Sequence, residues 1–323
     1  MIIGIIKEQT KDENRVAITP DIAKNLSQEG HSVLIETNSG TNAGFPDDSF
    51  HKNSAIFKNS ASEVCSSCDI LLKIWAPLEQ EKNLIPDTTI VIGDFSHCSE
   101  KSFNFPYFAL EKMPRISKAQ SMDILSSQDN LAGYKATLLA CNHLNRCVPM
   151  MITSAGSIPP INVFVFGLGV VGLQAAATAK RLGAKVFATD LREETAIQAI
   201  SVGAQFVSQN DINTHLKKSD IIICSAGRYP QAPILITPEN FSLIPKTCTI
   251  IDIANNTSPQ IQSSTIIKAH NLPSQISNSA SRFFARNLYN FLHYIYNSDT
   301  KELFINFNDE IIHATYNKGK NNV

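Results

Sequence analysis

Three glycines, at positions 167, 169 and 172 of "GLGVVGLQAAATAKRLGAKVFATD", carry the G-x-G-x-x-G spacing of a loop that holds a dinucleotide. In such a turn Gly167 permits the tight bend and Gly169 lets the backbone approach a pyrophosphate. Gly172 lets the following helix pack closely on the strand. The helix starts near Val170, so its first N–H groups and the positive end of its dipole face the phosphates. The next apolar run, "AKVFATD", ends on Asp190, where a carboxylate accepts bonds from the adenosine ribose hydroxyls. That acid repels a 2′-phosphate and favours NAD over NADP. Arg192 weakens the preference, although an arginine also stacks on adenine. The bland alternative is a structural glycine turn without a ligand.

The loop needs strands and helices around it, and the sequence supplies them. "MIIGII", "HSVLIE", "DILLKI", "TTIVIG" and "FPYFAL" read as strands in the first half, "NVFVFG", "AKVFATD", "DIIICS" and "CTIIDIA" in the second. Helical segments alternate with them, which predicts α/β architecture with parallel sheets. One helix spans 20–28, with Thr19 as N-cap and proline at its first position. A longer one is expected from about Ser126 to Leu144, before the punctuating stretch "TSAGSIPPIN". "SASRFFARNLYNFLHYIY" is amphipathic at helical spacing. The tail "ELFINFNDEIIHATYN" alternates in period two around Asn-Asp and reads as a hairpin.

With 323 residues and 43% hydrophobic content the chain can bury two cores. The balance of 28 basic against 29 acidic residues argues against a nucleic acid or an anionic membrane surface as partner. No apolar run approaches the roughly 20 residues that cross a bilayer, and the start lacks a signal peptide, so a soluble, cytoplasmic chain is expected. Seven scattered cysteines suit a reducing compartment. Cys65 and Cys68 form a C-x-x-C before a strand rather than after one, and Cys141, His143 and Cys147 are unevenly spaced; ordinary thiols and no metal are expected.

Further motifs give the chain a family resemblance. "NRVAITP", "LLKIWAP" (71–77), "PRISKAQSMDILSSQDNLAGYKA" (114–136), "GSIPP" and "LPSQISNSASRFFARNL" resemble the alanine dehydrogenase/pyridine nucleotide transhydrogenase family over nearly the whole chain. The resemblance implies two Rossmann-like α/β domains with parallel sheets, joined by long helices, with NAD in the cleft. Residues 1–126 plus about 291–323 would form the N-terminal domain with a C-terminal return, and 127–290 the NAD-binding domain.

Within the family the chain is most similar to the transhydrogenase branch, whose R-x-x-x-x-Q-x-x-D loop lies beside the nicotinamide. The resemblance gives Arg115, Gln120, Asp123 and Ser126 those places, with Gln120 and Asp123 positioning the ring. It adds Ile116, Ser117, Ser121 and Met122 as NAD contacts, and Val170, Asp190, Leu191 and Arg192 at the phosphate and adenosine end. Chemically, Arg115 can hold a pyrophosphate or pair with Asp123, and Gln120 can offer donor and acceptor to a carboxamide. The implied activity is that of the NAD(H)-binding subunit of a proton-translocating NAD(P) transhydrogenase. Hydride would pass between NADH and NADP⁺ held by a beta subunit, and membrane-spanning subunits would move the proton. A homodimer is implied, to whose interface the C-terminal amphipathic helix contributes, held at the inner membrane through its partners.

An alanine dehydrogenase is the competing reading, and a non-catalytic NAD-binding scaffold a third. The alanine branch uses an arginine, a lysine, a histidine and a D-x-A-x-D segment. Arg15 and Lys73 are present, and His97 stands about one residue out of register. In "DIANN" Asp252 is kept, but Asn256 replaces the second aspartate, and an amide cannot cycle a proton. Two departures touch the transhydrogenase reading. Only "SQNDINTHLKK" joins "VGAQFV" to "SDIIIC", where the family carries a long insertion with a mobile loop, and "SAGRYPQAP" is one residue short. A shortened lid implies looser NAD binding or slower closure.

Overall fold

The computed structural model describes residues 1–51, 55–98, 103–227 and 231–320. The chain divides into two compact units, Met1–Gln128 with Ser274–Val323, and Asp129–Pro273.

In the first unit, runs rich in isoleucine, leucine and valine form strands β1 (Ile2–Ile5), β2 (Ser32–Glu36), β3 (Ile56–Lys58), β4 (Ile70–Trp75), β5 (Ile90–Asp94) and β6 (Tyr107–Ala109). They lie parallel in the order β3-β2-β1-β4-β5-β6. Strands covered on both faces need no polar alternation, so "ILLKIW" reads as a continuous apolar run. The helix Pro20–Gln28 covers one face with Ile22, Ala23 and Leu26. Thr19 has the extended backbone of an N-cap, but its hydroxyl makes no cap bond. The long helix runs Ile124–His143, two residues earlier than expected at its start.

The second unit begins in that helix. The stretch read as a punctuating loop holds a small antiparallel hairpin, β7 (Met151–Thr153) with β8 (Gly156–Ile158), turned at Gly156 with φ +128. Its sheet comprises β9 (Asn162–Phe166), β10 (Lys185–Thr189), β11 (Gln205–Phe206), β12 (Ile221–Cys224), β13 (Thr249–Asp252) and β14 (Ile266–Lys268). The order is β11-β10-β9-β12-β13-β14, all parallel.

The chain then returns to the first unit at Ser274, rather than near residue 291. The reason is the helix Ser277–Ile295, which stays whole: its stripe Phe284, Leu288, Phe291 and Ile295 is buried in the first unit's core. After it β15 (Tyr296–Asn297) pairs antiparallel with β16 (Glu302–Leu303). The tail is not the expected hairpin. Asp309 caps a helix, Glu310–Thr315, by accepting from the N–H groups of Ile311 and Ile312. An acid followed by Glu310 is a helix start, and that local bonding overrides a period-two pattern too short to decide. β17 (Tyr316–Asn317) closes the first sheet antiparallel to β6.

The return is therefore structural cement for the first unit. Phe291 is fully buried, with its ring edge-on to Phe108 at 5.0 Å between centroids. Phe291→Ala should cost about 3–5 kcal/mol through lost burial and a residual cavity, read as a lowered denaturant midpoint.

Candidate dinucleotide site

In the second unit the chain leaves β9 toward β10 and β11 on one side, and later returns to β12 on the other. The loops after β9 and β12 diverge at their carboxyl ends, the switch point at which ligands bind in such sheets. Two of the three glycines there have a measurable reason. Gly167 has φ +86, and a Cβ on it would lie 2.7 Å from the Cα of Ala226. A Cβ on Gly172 would lie 1.8 Å from the carbonyl oxygen of Gly167, so only glycine lets the helix start this close. At Gly169 a Cβ would meet nothing, leaving open space before the helix Val170–Arg181. No side chain caps that helix, and its first N–H groups are free to receive an anion. The cradle therefore fits a dinucleotide diphosphate. Val170, at the helix start, is half-buried.

Asp190 directly follows β10 and braces the turn. It accepts from the N–H of Leu168 at 2.7 Å, from the backbone N–H of Arg192 at 3.0 Å, and from the guanidinium at 3.0 and 3.1 Å. Burial pushes its carboxyl upward, but the Arg192 side chain and the two backbone N–H groups outweigh it and hold the pKa down to about 2. A ribose hydroxyl must displace Arg192 or share its place, since four donors already surround the carboxylate. The Arg192 side chain is 56% exposed and Leu191 83% exposed, so the arginine has freedom to move.

The loop of the first unit is a 3-10 run, Ser117–Met122, ending at Asp123. Ala119 and Met122 are buried in the core, and Ile116 packs against it. The side chain of Met122 is thus closed to a ligand, and that residue has only backbone to offer. Arg115, Ser117, Gln120 and Ser121 are exposed. Asp123 is half-buried and does not pair with Arg115. It turns inward to accept from the Ser126 N–H at 2.9 Å and from the Ser126 hydroxyl. Two residues not foreseen hold the loop: Asn287 and Asn290 both donate to the Ser121 carbonyl, at 2.8 and 2.9 Å. The available signal was an asparagine on the buried stripe of an amphipathic helix.

Asn256 is fully buried. Its amide nitrogen donates to the carbonyls of Ala226 and Pro233, both at 2.8 Å, and its oxygen accepts from the Ala226 N–H at 3.1 Å. It thereby pairs with the backbone that abuts Gly167. Residues 228–230 of "SAGRYPQAP" lie outside the described residues. Asp252, also buried, is occupied by the N–H groups of Asn256 and Thr257 and by the Thr257 hydroxyl. Neither is poised as a proton carrier.

The cations shared with the alanine branch are engaged too. Arg15 makes a two-pronged contact with Glu13, at 2.8 and 2.7 Å, and donates to Gln128 at 2.7 Å. Lys73 is 1% exposed, 3.3 Å from Glu8 and 3.1 Å from Glu81. Burial opposes its charge, yet the two carboxylates more than offset this and raise its pKa. The cavity beside Arg15, lined among others by Glu8, Asn14 and Ser39, holds about 10 Å³. That is room for about one water, not an amino acid. His97 is exposed, its ring edge-on to Trp75.

Cys65 and Cys68 are free and buried, and burial pushes both thiols up to about 12, where they are unreactive. Among the described residues no His, Cys, Asp or Glu group converges as a metal site. Between β11 and β12 the chain makes only a 3-10 turn, Gln209–Asp211, and a short helix, Ile212–Leu216. Gln209 donates to Thr189 and to the Asp190 carbonyl, both at 3.1 Å.

These bonds set two expected outcomes. Asn256→Asp would turn a carboxylate on two carbonyls in a dry site, and should destabilise by about 3–5 kcal/mol, as an uncompensated buried charge does; chemical denaturation at neutral pH measures it. For Asp190 the folded pKa of about 2 lies below the ordinary 3.8. Its stabilisation is complete above the ordinary value and is lost as pH falls through the folded one. The stability gap between the wild type and Asp190→Asn should therefore be constant near neutrality and shrink below pH 3.8, in urea melts taken across that range.

Comparison with known proteins agrees with this geometry. The model for the alanine dehydrogenase/PNT N-terminal domain matches residues 4–132, and that for the C-terminal domain residues 136–323. An NAD(P) transhydrogenase subunit alpha polypeptide of Rhodospirillum rubrum is 35% identical, over 98% of this chain and 95% of its own. Their alignment runs over 368 positions, more than the 323 residues here, so the relative carries residues this chain lacks. A solved transhydrogenase from Sinorhizobium meliloti superposes with a TM-score of 0.89 at 34% identity, covering 98% of both chains. An alanine dehydrogenase of Methanococcus maripaludis is more distant, 25% identical over 84% of this chain and 77% of its own. With both domain models matched in sequence order and the glycine cradle formed, the chain belongs to the alanine dehydrogenase/PNT family.

Proposed function

We propose that this chain is the NAD(H)-binding subunit of a proton-translocating NAD(P) transhydrogenase. The observation that carries this reading is the cradle at the β9–β12 switch point, with Gly167, Gly169 and Gly172 shaped for a diphosphate and Asp190 behind them. When bound, NAD(H) gives or takes a hydride at its nicotinamide ring, and NADP(H) on a beta subunit is the other party. The hydride carries its electron pair with it, so this exchange releases no separate proton and requires no acid–base residue. The occupied state of Asp252, Asn256, Arg15 and Lys73 suits such a reaction and leaves none of these four residues free to serve alanine oxidation.

Arg115, Gln120, Ser117 and the backbone of Ile116, Ser121 and Met122 serve the nicotinamide end, with Asp123 and Ser126 setting the bend of their loop. Neither the Arg115 guanidinium nor the Gln120 carboxamide has a partner among the described residues, which leaves both for a ligand. Leu191 and Arg192 take the adenosine end. No helix among the described residues is long and apolar enough to cross a membrane, and in the proposed function proton movement falls to membrane-spanning partner subunits. The chain works as a homodimer on the cytoplasmic side, held at the membrane by those partners. The return helix buries one stripe in its own unit, so a contribution to dimer contacts would come from its outer face, where Phe283 is exposed. The short β11–β12 connection makes NAD binding looser than a full lid would.

Calorimetry tests the reading. NADH should bind, NADPH more weakly, and Asp190→Asn should lower NADH affinity by about tenfold, the value of one charge-assisted hydrogen bond. Alanine-dependent reduction of NAD⁺ should be absent, and transhydrogenation should appear only on adding a membrane-bound beta subunit. NADH binding without transhydrogenation in that mixture would favour the scaffold reading.

A further inference from the structure

We propose that Asn287 is a positioning residue for the Arg115–Asp123 loop, its side-chain amide setting the exposed Arg115 and Gln120 for the nicotinamide end of the dinucleotide. This rests on the function proposed above.

Asn287 is 7% exposed and lies on the same helical stripe as Phe284, Leu288 and Phe291. A polar amide in such a place is costly unless both its ends are bonded. Its nitrogen donates to the Ser121 carbonyl at 2.8 Å, and its oxygen accepts from the Ser127 hydroxyl at 2.7 Å. Ser121 stands near the end of the 3-10 run, where carbonyls lack partners within the helix. Ser127 lies in the first turn of the long helix, past the bend at Asp123. One amide therefore bridges the two arms of the bend.

Asn290, one turn on and half-buried, adds a second donor to the Ser121 carbonyl at 2.9 Å. The Asp123 carboxylate closes the same bend from inside through Ser126. Lys118, on the loop's outer side, lies 4.6 Å from the Tyr294 ring centroid and 3.3 Å from Asp309. It is 61% exposed, so its pairing is a weak tether. The strong fixed point is the buried amide. A leucine would fill the stripe and dispense with the polar group, so packing alone does not call for asparagine here. What asparagine adds is a fixed distance between Ser121 and Ser127, and with it the direction of the exposed face.

The test uses the whole chain and two ligands, NADH and ADP-ribose, which lacks the nicotinamide. Asn287→Leu should weaken NADH by about tenfold, as loss of a bridging amide does, while ADP-ribose affinity and the thermal midpoint hold. Asn287→Asp keeps the Ser127 bond but turns an oxygen on the Ser121 carbonyl, and should weaken NADH at least as much. Unchanged NADH affinity in Asn287→Leu overturns the inference, and so does an equal loss for both ligands. Arg115→Ala and Gln120→Ala separate the levels. If they weaken NADH and Asn287→Leu does not, this inference alone fails; if they too leave NADH unchanged, the loop's assignment to nicotinamide fails. Should Asn287→Leu not fold, Ser127→Ala removes one arm of the bridge and carries the same expected and overturning results.

Discussion

All six strands of the second unit's main sheet run the same way, so their carboxyl ends meet at one edge, and the backbone groups there have no strand to bond. That edge must be finished by loops, by helix ends or by a ligand. Beside β9 and β12 the loops turn in opposite directions, which opens a crevice. The helix Val170–Arg181 is brought up to it so closely that Gly172 admits no side chain. Ser225 closes the floor, its hydroxyl donating to the Phe166 carbonyl at 3.0 Å. The N–H groups of the helix start then remain as the unfinished part, and an anion completes them. Binding a diphosphate here satisfies a need that the parallel sheet itself creates.

Two buried asparagines do what an acid cannot. Asn256 offers two donors and an acceptor to backbone on the far wall of that crevice. Asn287 offers one of each to the loop of the first unit. A carboxylate in either place would repel the carbonyls it faced and, if protonated, would offer only one donor. The replacement of an acid by Asn256 thus changes more than proton chemistry. It converts a titrating position into a geometric one, independent of pH across the range in which the protein works.

How much of this was legible in the sequence follows the distance between partners along the chain. The glycine cradle lies within a short run, and each of its residues is read from its neighbours, so Gly167, Gly169, Gly172 and Asp190 stand where the spacing placed them. The central strands, uniformly apolar, were equally plain. Short edge strands such as β3 and β14, and the β7–β8 hairpin with its small residues, carry too little pattern to be recognised alone. The tail misled because alternation over a few residues fits a strand or a capped turn of helix equally, and Asp309 decides by its bonds. Asn287 lies 166 residues from Ser121 and Asn256 lies 30 from Ala226. An asparagine on a buried stripe signals that Asn287 needs a partner, but nothing local says which; only the fold brings either pair together. Likewise Arg115 and Asp123, near in sequence and opposite in charge, do not pair, since Asp123 finds closer donors in Ser126.

The buried ions of the first unit bear on the same chemistry. Lys73 sits between Glu8 and Glu81, and Arg15 on Glu13, with Trp75 also donating to Glu13 at 2.6 Å. Burial raises the Glu8 carboxyl, while Lys73 and the Ile74 N–H pull it back. Burying these charges is costly, and well-packed apolar residues would serve stability as well or better. Their arrangement instead holds β4, the segment from Glu8 to Arg15 and the helix turn at Glu81 in one register, because each carboxylate bonds a particular donor on another segment. Their charges are neutralised at home, so neither Arg15 nor Lys73 is held out for a small substrate. A reaction that moves hydride without a proton asks for this condition: rigid walls, a few unpartnered polar groups such as Arg115 and Gln120, and no titrating residue that must change state at each turnover.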